Sequence, residues 1–600
     1  MSEEAATGAA LEIPAFGATL TEALLYRGRE TPGKAHLHLR QEDGTVETIT
    51  FGELLNGSAT AAGSLRRLGL KPGETVALML PTCREFFFSY LGTLLAGGIP
   101  VPIYPPMNVK QIHEYARRQA AILRNAEVRL LVTFQEAEML ARLLRPQIPS
   151  LRAVVSAQVL HTGLVSGPAA DFQPSPDDIA LIQYTSGSTG DPKGVVLTQR
   201  NLVANVRAIG HGVGVRPDDV VISWLPLYHD MGLIGCWLFS IYFGLELVAL
   251  SPLAFLRRPE RWLWMFHHHR GTLSPAPNFG YELCARKVSD AALHGLNLSS
   301  WRVALNGAEP IIPETLDRFI QRFAPYGFRA ETMMPVYGLA ECSVALSFWK
   351  RQTAPRFDIV DRLDFEQHGR ARPASPLESA TLRFVSVGRA LPEHDVRVVN
   401  HDDKPVGERI EGHIQFRGPS STSGYYRNAK ATESLRDGTW TRTGDLGYVA
   451  DGDLFVTGRT KDLIIQAGRN IHPQEVEKLV AEVDGIRRGC VAAFSLPNPA
   501  TGSESLVIVA ETRETRSDKR RQIAAEVKRR VGAGAISPDV VHLVPPHALP
   551  KTPSGKLQRD QTRRLYLQNR LTGAHPPVWI QVARLAGQAA LATVRRLVGR

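Results

Sequence analysis

The stretch Tyr184-Thr-Ser-Gly-Ser-Thr-Gly-Asp-Pro-Lys-Gly194 follows the apolar run Ile179–Ile182, which predicts a buried strand. Its glycines let the backbone turn tightly and approach an anion, while its hydroxyl and backbone N–H groups can donate hydrogen bonds to that anion. Lys193 adds a point charge suited to phosphate oxygens. A solvated Gly/Ser loop is the alternative for such a stretch taken alone. A Walker A loop fits poorly, because that motif needs Ser or Thr directly after its lysine, where this chain has Gly194.

The whole string from Tyr184 to Gly194 resembles the phosphate loop of the adenylate-forming enzymes, which include acyl-CoA synthetases, firefly luciferase and peptide-synthetase adenylation domains. The resemblance implies that this loop binds the phosphates of ATP. The residues implied are Thr185, Ser186, Gly187, Ser188, Thr189, Gly190 and Lys193.

Composition limits the classes of function that the chain can have. With 600 residues the chain is too long for one ordinary core, so two or more domains are expected. Its 44% hydrophobic and 22% charged content is typical of a globular protein, and the acidic N-terminus and scattered cysteines indicate a cytoplasmic one. The formal charge of +11 favours an anionic partner: a nucleotide, phosphopantetheine, an acidic protein or an anionic membrane. No zinc-finger spacing or RNP-like motif supports nucleic-acid binding.

Residues 15 to 110 alternate helical and strand patterns, which predicts an α/β layer around a mainly parallel sheet. The apolar stretch Gly232–Leu256 is interpreted as a buried strand and helix, since Glu246, Pro252 and its glycines disfavour a membrane span. Val101-Pro-Ile-Tyr-Pro-Pro106 resembles the fatty acyl-AMP ligases of the same superfamily. The resemblance implies a large N-terminal domain of layered sheets and helices and a smaller, mobile α+β C-terminal domain. The predicted ranges are 1–458 for the large domain, 459–461 for the hinge, 462–562 for the small domain and 563–600 for a basic tail.

Motifs after the phosphate loop supply further candidate residues through the same resemblance. His229 is a structural histidine or, as the resemblance implies, a residue that orients the acyl carboxylate. The segment Gly307-Ala308-Glu309 is implied to pack against adenine, and Tyr337 and Gly338 to border it. Glu341 is implied to hold Mg²⁺, a hard cation that prefers carboxylate oxygen beside substrate phosphates.

The later motifs supply candidate site residues from both predicted domains. Asp445 is suited to accept hydrogen bonds from the ribose hydroxyls, and Arg459 is implied to reach the ribose or phosphates. Lys461 is implied to be the hinge residue, Gly468 to border the thiol channel, and Lys556 to be the catalytic lysine. Arg559, close to Lys556, is interpreted as a solvated charge.

The segment from Phe348 to Ser386 is longer than in ordinary acyl-CoA synthetases. It resembles the insertion of fatty acyl-AMP ligases, which hampers the domain rotation needed to use CoA. A surface loop of no consequence is the alternative.

The tail from Arg563 onward contains seven arginines and no Asp or Glu, around an apolar-faced helical pattern. This pattern is compatible with docking on the inner face of an anionic membrane, and equally with packing on the protein or on a partner.

The resemblance covers residues 15 to 562 and implies an enzyme of the acid–thiol ligase type. Such an enzyme would use ATP and Mg²⁺ to activate a medium- to long-chain fatty acid as an acyl-adenylate, with release of pyrophosphate. Transfer to the phosphopantetheine thiol of a separate acyl carrier protein would follow. The alternatives are a long-chain fatty acid–CoA ligase, an amino-acid-adenylating domain and a degenerate binding protein.

Overall fold

The computed structural model describes residues 17–106, 112–161, 173–185, 192–375, 380–466, 469–498, 503–532, 538–551, 557–571 and 578–598. Helices and strands are numbered along the chain. The strands up to residue 390 are β1 Ala35–Arg40, β2 Val46–Thr50, β3 Thr75–Met79, β4 Ile99–Pro102, β5 Leu130–Thr133, β6 Ala153–Ser156, β7 Ile179–Thr185, β8 Lys193–Thr198, β9 Val220–Ser223, β10 Glu246–Leu250, β11 Leu273–Ala276, β12 Val303–Asn306, β13 Met333–Tyr337, β14 Ser347–Phe348, β15 Phe357–Asp361, β16 Thr381–Val385 and β17 Arg389–Ala390. The later strands are β18 Asp395–Val399, β19 Gly412–Arg417, β20 Arg436–Asp437, β21 Trp440–Ala450, β22 Asp453–Arg459, β23 Ile464–Gln466, β24 Arg469–Ile471, β25 Ile486–Asn498, β26 Ser503–Thr512 and β27 Val540–Val544.

The helices alternate with these strands over most of the chain. Those up to residue 287 are α1 Leu20–Glu30, α2 Phe51–Arg67, α3 Arg84–Leu95, α4 Ile112–Asn125, α5 Gln135–Leu144, α6 Ala157–His161, α7 Gln199–Val213, α8 Asp230–Gly232, α9 Phe239–Phe243, α10 Pro252–Arg257, α11 Glu260–His269 and α12 Asn278–Lys287. The others are α13 Pro313–Phe323, α14 Arg362–His368, α15 Ala429–Leu435, α16 Pro473–Ala481, α17 Ser517–Gly532, α18 Arg559–Leu567 and α19 Val578–Val598.

Two layered sheets form the large N-terminal part. The first has nine strands in the order β17-β14-β13-β12-β11-β9-β10-β1-β2, and the run from β13 to β1 is parallel. The second has four parallel strands in the order β4-β3-β5-β6. Parallel strands need crossover connections, which the intervening helices supply, so the predicted α/β class is confirmed.

The apolar stretch Gly232–Leu256 lies in this core, although its order differs from the prediction. Helical turns come first, including π-helical turns at Leu233–Leu238 and then α9, and the buried strand β10 follows them. The apolar side chains of these turns and of β10 are buried, because they pack between the parallel sheet and the helices that cover it. Among the helices of the described ranges, none combines the length and apolarity that crossing a bilayer requires.

The hairpin β7–β8 carries the predicted phosphate loop at its turn. Its last paired residues are Thr185 and Lys193, so the strands bring the two ends of the loop side by side. Residues 186–191, which include the candidates Ser186, Gly187, Ser188, Thr189 and Gly190, lie outside the described residues.

The segment predicted as an insertion is an ordered antiparallel pair, β15–β16, with α14 between its strands. Phe365 of α14 packs with Tyr448 of β21 and Phe455 of β22 in a small apolar cluster. The insertion is therefore attached to the five-stranded sheet formed by β18 to β22.

The smaller C-terminal part contains β23 to β27 and α16 to α18, with apolar clusters on both sides of β25–β26. Helix α18 crosses the predicted boundary at residue 562, and Leu565, Tyr566 and Leu571 contact the cluster formed by Phe494 and its neighbours. The predicted boundary therefore divides a helix that packs on this core.

The middle of the tail helix α19 packs on the large domain. Leu585 and Ala589 are buried, and Leu585 joins the apolar cluster of α4 and α5. The backbone N–H of His113 donates to Gln581 Oε1 at 3.2 Å. The i, i+4, i+8 spacing of Gln581, Leu585 and Ala589 places them on one helix face. Packing on the protein, one of the alternatives left open by the sequence, accounts for the burial of these three side chains.

We expect Leu585→Ala to loosen the docking of α19, because removing a buried leucine side chain costs about 2–5 kcal/mol. Hydrogen exchange of the peptide spanning residues 578–598 should speed up in this variant. Leu591→Ala is the matched control, since Leu591 is 63% exposed on the same helix. Equal exchange in both variants would contradict the docking.

Candidate active site

A cavity of about 2850 Å³ lies between the large and small parts of the chain. Most of the described candidate residues contribute to its wall. Those that line it are Thr185, Lys193, His229, Ala308, Glu309, Tyr337, Gly338, Glu341, Asp445, Arg459 and Lys461. Gly307 is buried directly behind this wall. Lys556 and Gly468 lie outside the described residues.

Asp445 links two other candidate residues, Tyr337 and Arg459, on one side of the cavity. The Tyr337 hydroxyl, at the end of β13, donates to Asp445 Oδ2 at 2.6 Å. Arg459 Nε lies 3.2 Å from Asp445 Oδ1, because Asp445 of β21 and Arg459 of β22 are cross-strand partners. Each carboxylate oxygen keeps a second lone pair, so Asp445 can still accept hydrogen bonds from a ligand.

Glu341, four residues after Tyr337, also lines the cavity and joins three segments of the chain. Its Oε1 accepts a hydrogen bond from the Tyr425 hydroxyl at 2.7 Å, and its backbone oxygen accepts one from the Thr422 N–H at 2.8 Å. Lys193 Nζ lies 4.9 Å from the centre of the Tyr425 ring, within cation–π range. Burial raises the pKa of the Glu341 carboxyl, while the Tyr425 hydrogen bond opposes that shift.

The donors around Glu341 fit a hard cation. Among the described residues, no Lys, Arg or His nitrogen lies within 4.0 Å of this carboxylate, and no three His, Cys, Asp or Glu side chains form a ready-made metal cluster. Tyr425 bonds only one oxygen of this buried carboxylate, so the other oxygen can bind Mg²⁺. Proteins usually bind this ion through one or two carboxylates together with substrate phosphates.

Close backbone packing shapes the wall between these two sides. A Cβ at Gly307 would lie 2.8 Å from the carbonyl oxygen of Val336, and a Cβ at Gly338 would lie 1.8 Å from that of Val344. Ala308 has a φ of 66°, which a small residue tolerates best. Glu309 Oε1 accepts a hydrogen bond from the Phe279 N–H at 2.6 Å, which holds this turn on α12. The turn therefore offers a smooth surface to a flat ligand.

His229 lies at the start of α8. Its Nδ1 is 2.6 Å from Asp230 Oδ1, and the Gln183 side chain donates to the Tyr228 carbonyl at 2.9 Å. The second contact ties this turn to strand β7, immediately before Thr185. The structure thus brings His229 and the phosphate-loop hairpin to the same cavity.

The hinge region is held by ion pairs. Lys461 Nζ lies 3.9 Å from Asp560 Oδ2, and burial, followed by the charge of Arg459, lowers the pKa of the Lys461 amine. The interpretation of Arg559 as a solvated charge is wrong: its side chain is 18% exposed and donates to Glu477 and Asp462. An arginine with this many carboxylate partners fixes the start of α18 against α16 and the hinge.

The insertion contacts the small domain through a buried carboxylate. Glu366 of α14 is paired with Arg362 of the same helix and with Arg469 at the start of β24. Arg362 also lies 3.5 Å from Glu475 of α16. The Glu366 side chain is 3% exposed, so this pair is well shielded from solvent.

Sequence reasoning missed Tyr425, which connects Glu341 with Lys193. The only local signal was the paired aromatic residues in Gly424-Tyr425-Tyr426-Arg427, after a Ser/Thr-rich loop. The contact joins positions 84 residues apart, so spacing along the chain gave no indication of it.

Comparisons with known proteins agree with this geometry. Residues 25–426 match the family described as AMP-binding enzyme. The chain is 35% identical over 558 residues to a putative acyl-CoA synthetase of Caulobacter vibrioides, covering 92% of this chain and 95% of that protein. It is 32% identical over 625 residues to the medium-chain-fatty-acid–[acyl-carrier-protein] ligase TtuA of Teredinibacter turnerae, covering 94% of each. A solved structure from "Structural and Functional Studies of Fatty Acyl-Adenylate Ligases from E. coli and L. pneumophila" aligns with a TM-score of 0.85 and 36% identity, covering 92% of this chain and 98% of that one.

Proposed function

This chain belongs to the AMP-binding enzyme family, and we propose that it activates a fatty acid with ATP and transfers the acyl group to an acyl carrier protein. The carrier is a separate chain, and its phosphopantetheine thiol is the acceptor. The observation that carries the proposal is the meeting of Lys193, Glu341, Asp445 and Arg459 in one interdomain cavity. The TtuA relative, named a fatty acid–carrier protein ligase, supports the same acceptor.

The nucleotide occupies the side of the cavity built by β13, β21 and β22. Adenine packs on the turn at Gly307-Ala308-Glu309 and is bordered by Tyr337 and Gly338. Asp445 accepts hydrogen bonds from the ribose hydroxyls with its remaining lone pairs, and Arg459 holds the carboxylate in place. The loop from Thr185 to Lys193 cradles the phosphates at the opposite side.

The first step joins an anion to a polyanion, so its barrier is largely electrostatic. An oxygen of the fatty acid carboxylate attacks the α-phosphorus of ATP, a P–O bond forms, and pyrophosphate leaves with the electron pair of the α–β bridge. Lys193 and Lys556 offset the charge that develops, and His229 orients the carboxylate. Mg²⁺ on Glu341 would supply further charge neutralisation beside the phosphates.

The second step requires a thiol. Its sulfur attacks the acyl carbonyl of the adenylate, a thioester forms, and AMP leaves. Torsions at residues 459–461, centred on Lys461, turn the small domain of residues 462–571 between the two steps, and Gly468 borders the path of the pantetheine arm.

The insertion favours a carrier protein over free CoA. Arg469 and Glu475 of the small domain both contact residues of α14, so rotation of that domain must break shielded ion pairs. Removing one partner of a buried pair costs about 3–5 kcal/mol, which a free CoA molecule has little contact area to offset. The alternative is a fatty acid–CoA ligase, the activity in the name of the Caulobacter relative.

Product analysis tests the proposal. The enzyme is incubated with ATP and a panel of fatty acids, alone, with CoA, or with a phosphopantetheinylated acyl carrier protein. We expect acyl-adenylate without a thiol, acylated carrier when it is present, little acyl-CoA, and none of these products with Lys556→Ala. Rapid CoA-dependent turnover would identify a CoA ligase instead.

We expect Tyr425→Phe to move the acidic limb of adenylate formation to higher pH. The Tyr425 hydrogen bond stabilises the charged form of Glu341, so its loss raises the carboxyl pKa further and protonates Glu341 at a pH where the wild type is ionised. The pH dependence of fatty-acid-dependent ATP–pyrophosphate exchange measures this shift. Tyr426→Phe is the control, and an identical shift in both variants would contradict the assigned role.

We expect Glu366→Ala to raise the rate of acyl-CoA formation by roughly ten-fold. Each decrease of about 1.4 kcal/mol in the free energy of domain rotation raises the population of the rotated state about ten-fold. The variant releases Arg469 from the insertion and lowers the cost of domain rotation. Asp364→Ala is the matched control, because Asp364 contacts Arg372 at 3.3 Å within the insertion itself. Unchanged CoA use in Glu366→Ala would reduce the insertion to a surface loop.

A further inference from the structure

We infer that six arginines at one mouth of the cavity form the surface on which the acidic carrier protein docks. This inference rests on the proposed function and concerns a region to which no role has been assigned above. The arginine rim comprises Arg117, Arg118 and Arg124 of α4, Arg564 of α18, Arg570 just after α18, and Arg584 of α19.

Three elements from both domains and the tail converge to form the rim. Helix α19 is docked on α4 through the hydrogen bond from the His113 N–H to Gln581. Helix α18 reaches the same part of α4, where the Gln561 side chain donates to Glu114. The fold therefore gathers arginines that lie more than 400 residues apart in the chain around one opening.

The rim is continuous with the candidate site. The Arg118 guanidinium lies 5.8 Å from the centre of the Tyr104 ring, and that ring lies 6.0 Å from the ring of Tyr228. Tyr228 directly precedes His229. All four residues line the same cavity, so an arm entering past the rim leads to the place proposed for the acyl carboxylate.

Five of the six rim arginines carry charge that no ion pair within the described residues offsets, unlike several other cations in the cavity wall. Within the described residues, no carboxylate oxygen lies within 4.0 Å of the nitrogens of Arg117, Arg118, Arg124, Arg570 or Arg584. Of the nearest acids, Glu114 accepts a hydrogen bond from Gln561 and Asp560 faces Lys461.

A second group of cations in the cavity wall shows the contrast. Its cations are paired with carboxylates of the same protein, and these pairs are Arg286 and Arg318 with Glu282, Arg383 with Asp317, Lys478 with Glu314, and Arg530 with Glu482. Those charges serve the fold, whereas the rim concentrates like charges that repel one another until an anionic partner binds.

Arginine suits this partner because of the shape and charge of its side chain. Its planar guanidinium binds carboxylates and phosphates in a bidentate manner. A carrier protein presents both groups, in acidic side chains on its surface and in the phosphodiester that joins the pantetheine arm to it. The exposed positions of Arg117, Arg124 and Arg584 give these guanidinium groups access to a partner.

Charge reversal on two of the elements tests the inference. In Arg117→Glu and Arg584→Glu, we expect kcat/KM for carrier acylation to fall by roughly ten-fold, mainly through KM, with a weaker dependence on salt. Pyrophosphate release with ATP and fatty acid alone should stay at the wild-type rate. Lys528→Glu is the matched control, because Lys528 is exposed on α17 and does not line the cavity.

Four results would overturn the inference. Unchanged carrier acylation would remove the docking role while leaving the proposed function intact. An equal fall in pyrophosphate release would make the rim part of ATP binding. If the two variants lost only their co-sedimentation with anionic phosphatidylglycerol vesicles, the rim would be a membrane contact. Absence of carrier acylation by the wild type would overturn the proposed function and the docking surface together.

Discussion

The buried carboxylate of Glu341 is the constraint on which the arrangement of the site depends. Burying a charge without a counter-ion is costly, and the hydrogen bond from the Tyr425 hydroxyl to the carboxylate offsets part of that cost. The same contacts tie the end of β13 to the loop before α15 and, through the Tyr425 ring, to Lys193 of the phosphate-loop hairpin. Within the described residues the site thus holds a carboxylate without a paired cation, where the proposed chemistry brings a divalent cation and phosphates.

Ion pairs at the domain interface have a different effect, because they orient the small domain. Glu366 with Arg469, and Arg559 with Glu477, join segments that approach one another only in the folded chain. Shielded pairs of this kind add little net stability compared with apolar contacts, but they disfavour arrangements in which one partner is left unpaired. They therefore select one orientation of the small domain more than they strengthen the fold.

Local patterns predicted the elements and the order of the motifs well. The alternation of helices and strands predicted for residues 15 to 110 occurs as α1 to α3 and β1 to β4, since apolar periodicity and turns are encoded locally. The contacts that the sequence did not predict join distant positions: Tyr425 to Glu341 over 84 residues, and Arg469 to Glu366 over 103. An amphipathic pattern likewise indicates that α19 has a face to bury, but the surface that covers it depends on the tertiary fold.

The position of α19 depends both on its local amphipathic pattern and on the tertiary fold. Its apolar face packs on α4 and α5, and this docking leaves Arg584 beside the arginines of α4 and α18 at the mouth of the cavity. The rim is complete only while the small domain and the tail keep this arrangement with the large domain. A partner that binds all three elements has a higher affinity for this arrangement than for any other, and by linkage it shifts the population toward it. Carrier docking and domain orientation are then coupled. An acidic carrier can therefore shift the interdomain equilibrium with its binding free energy, whereas free CoA has a smaller contact area and contributes less.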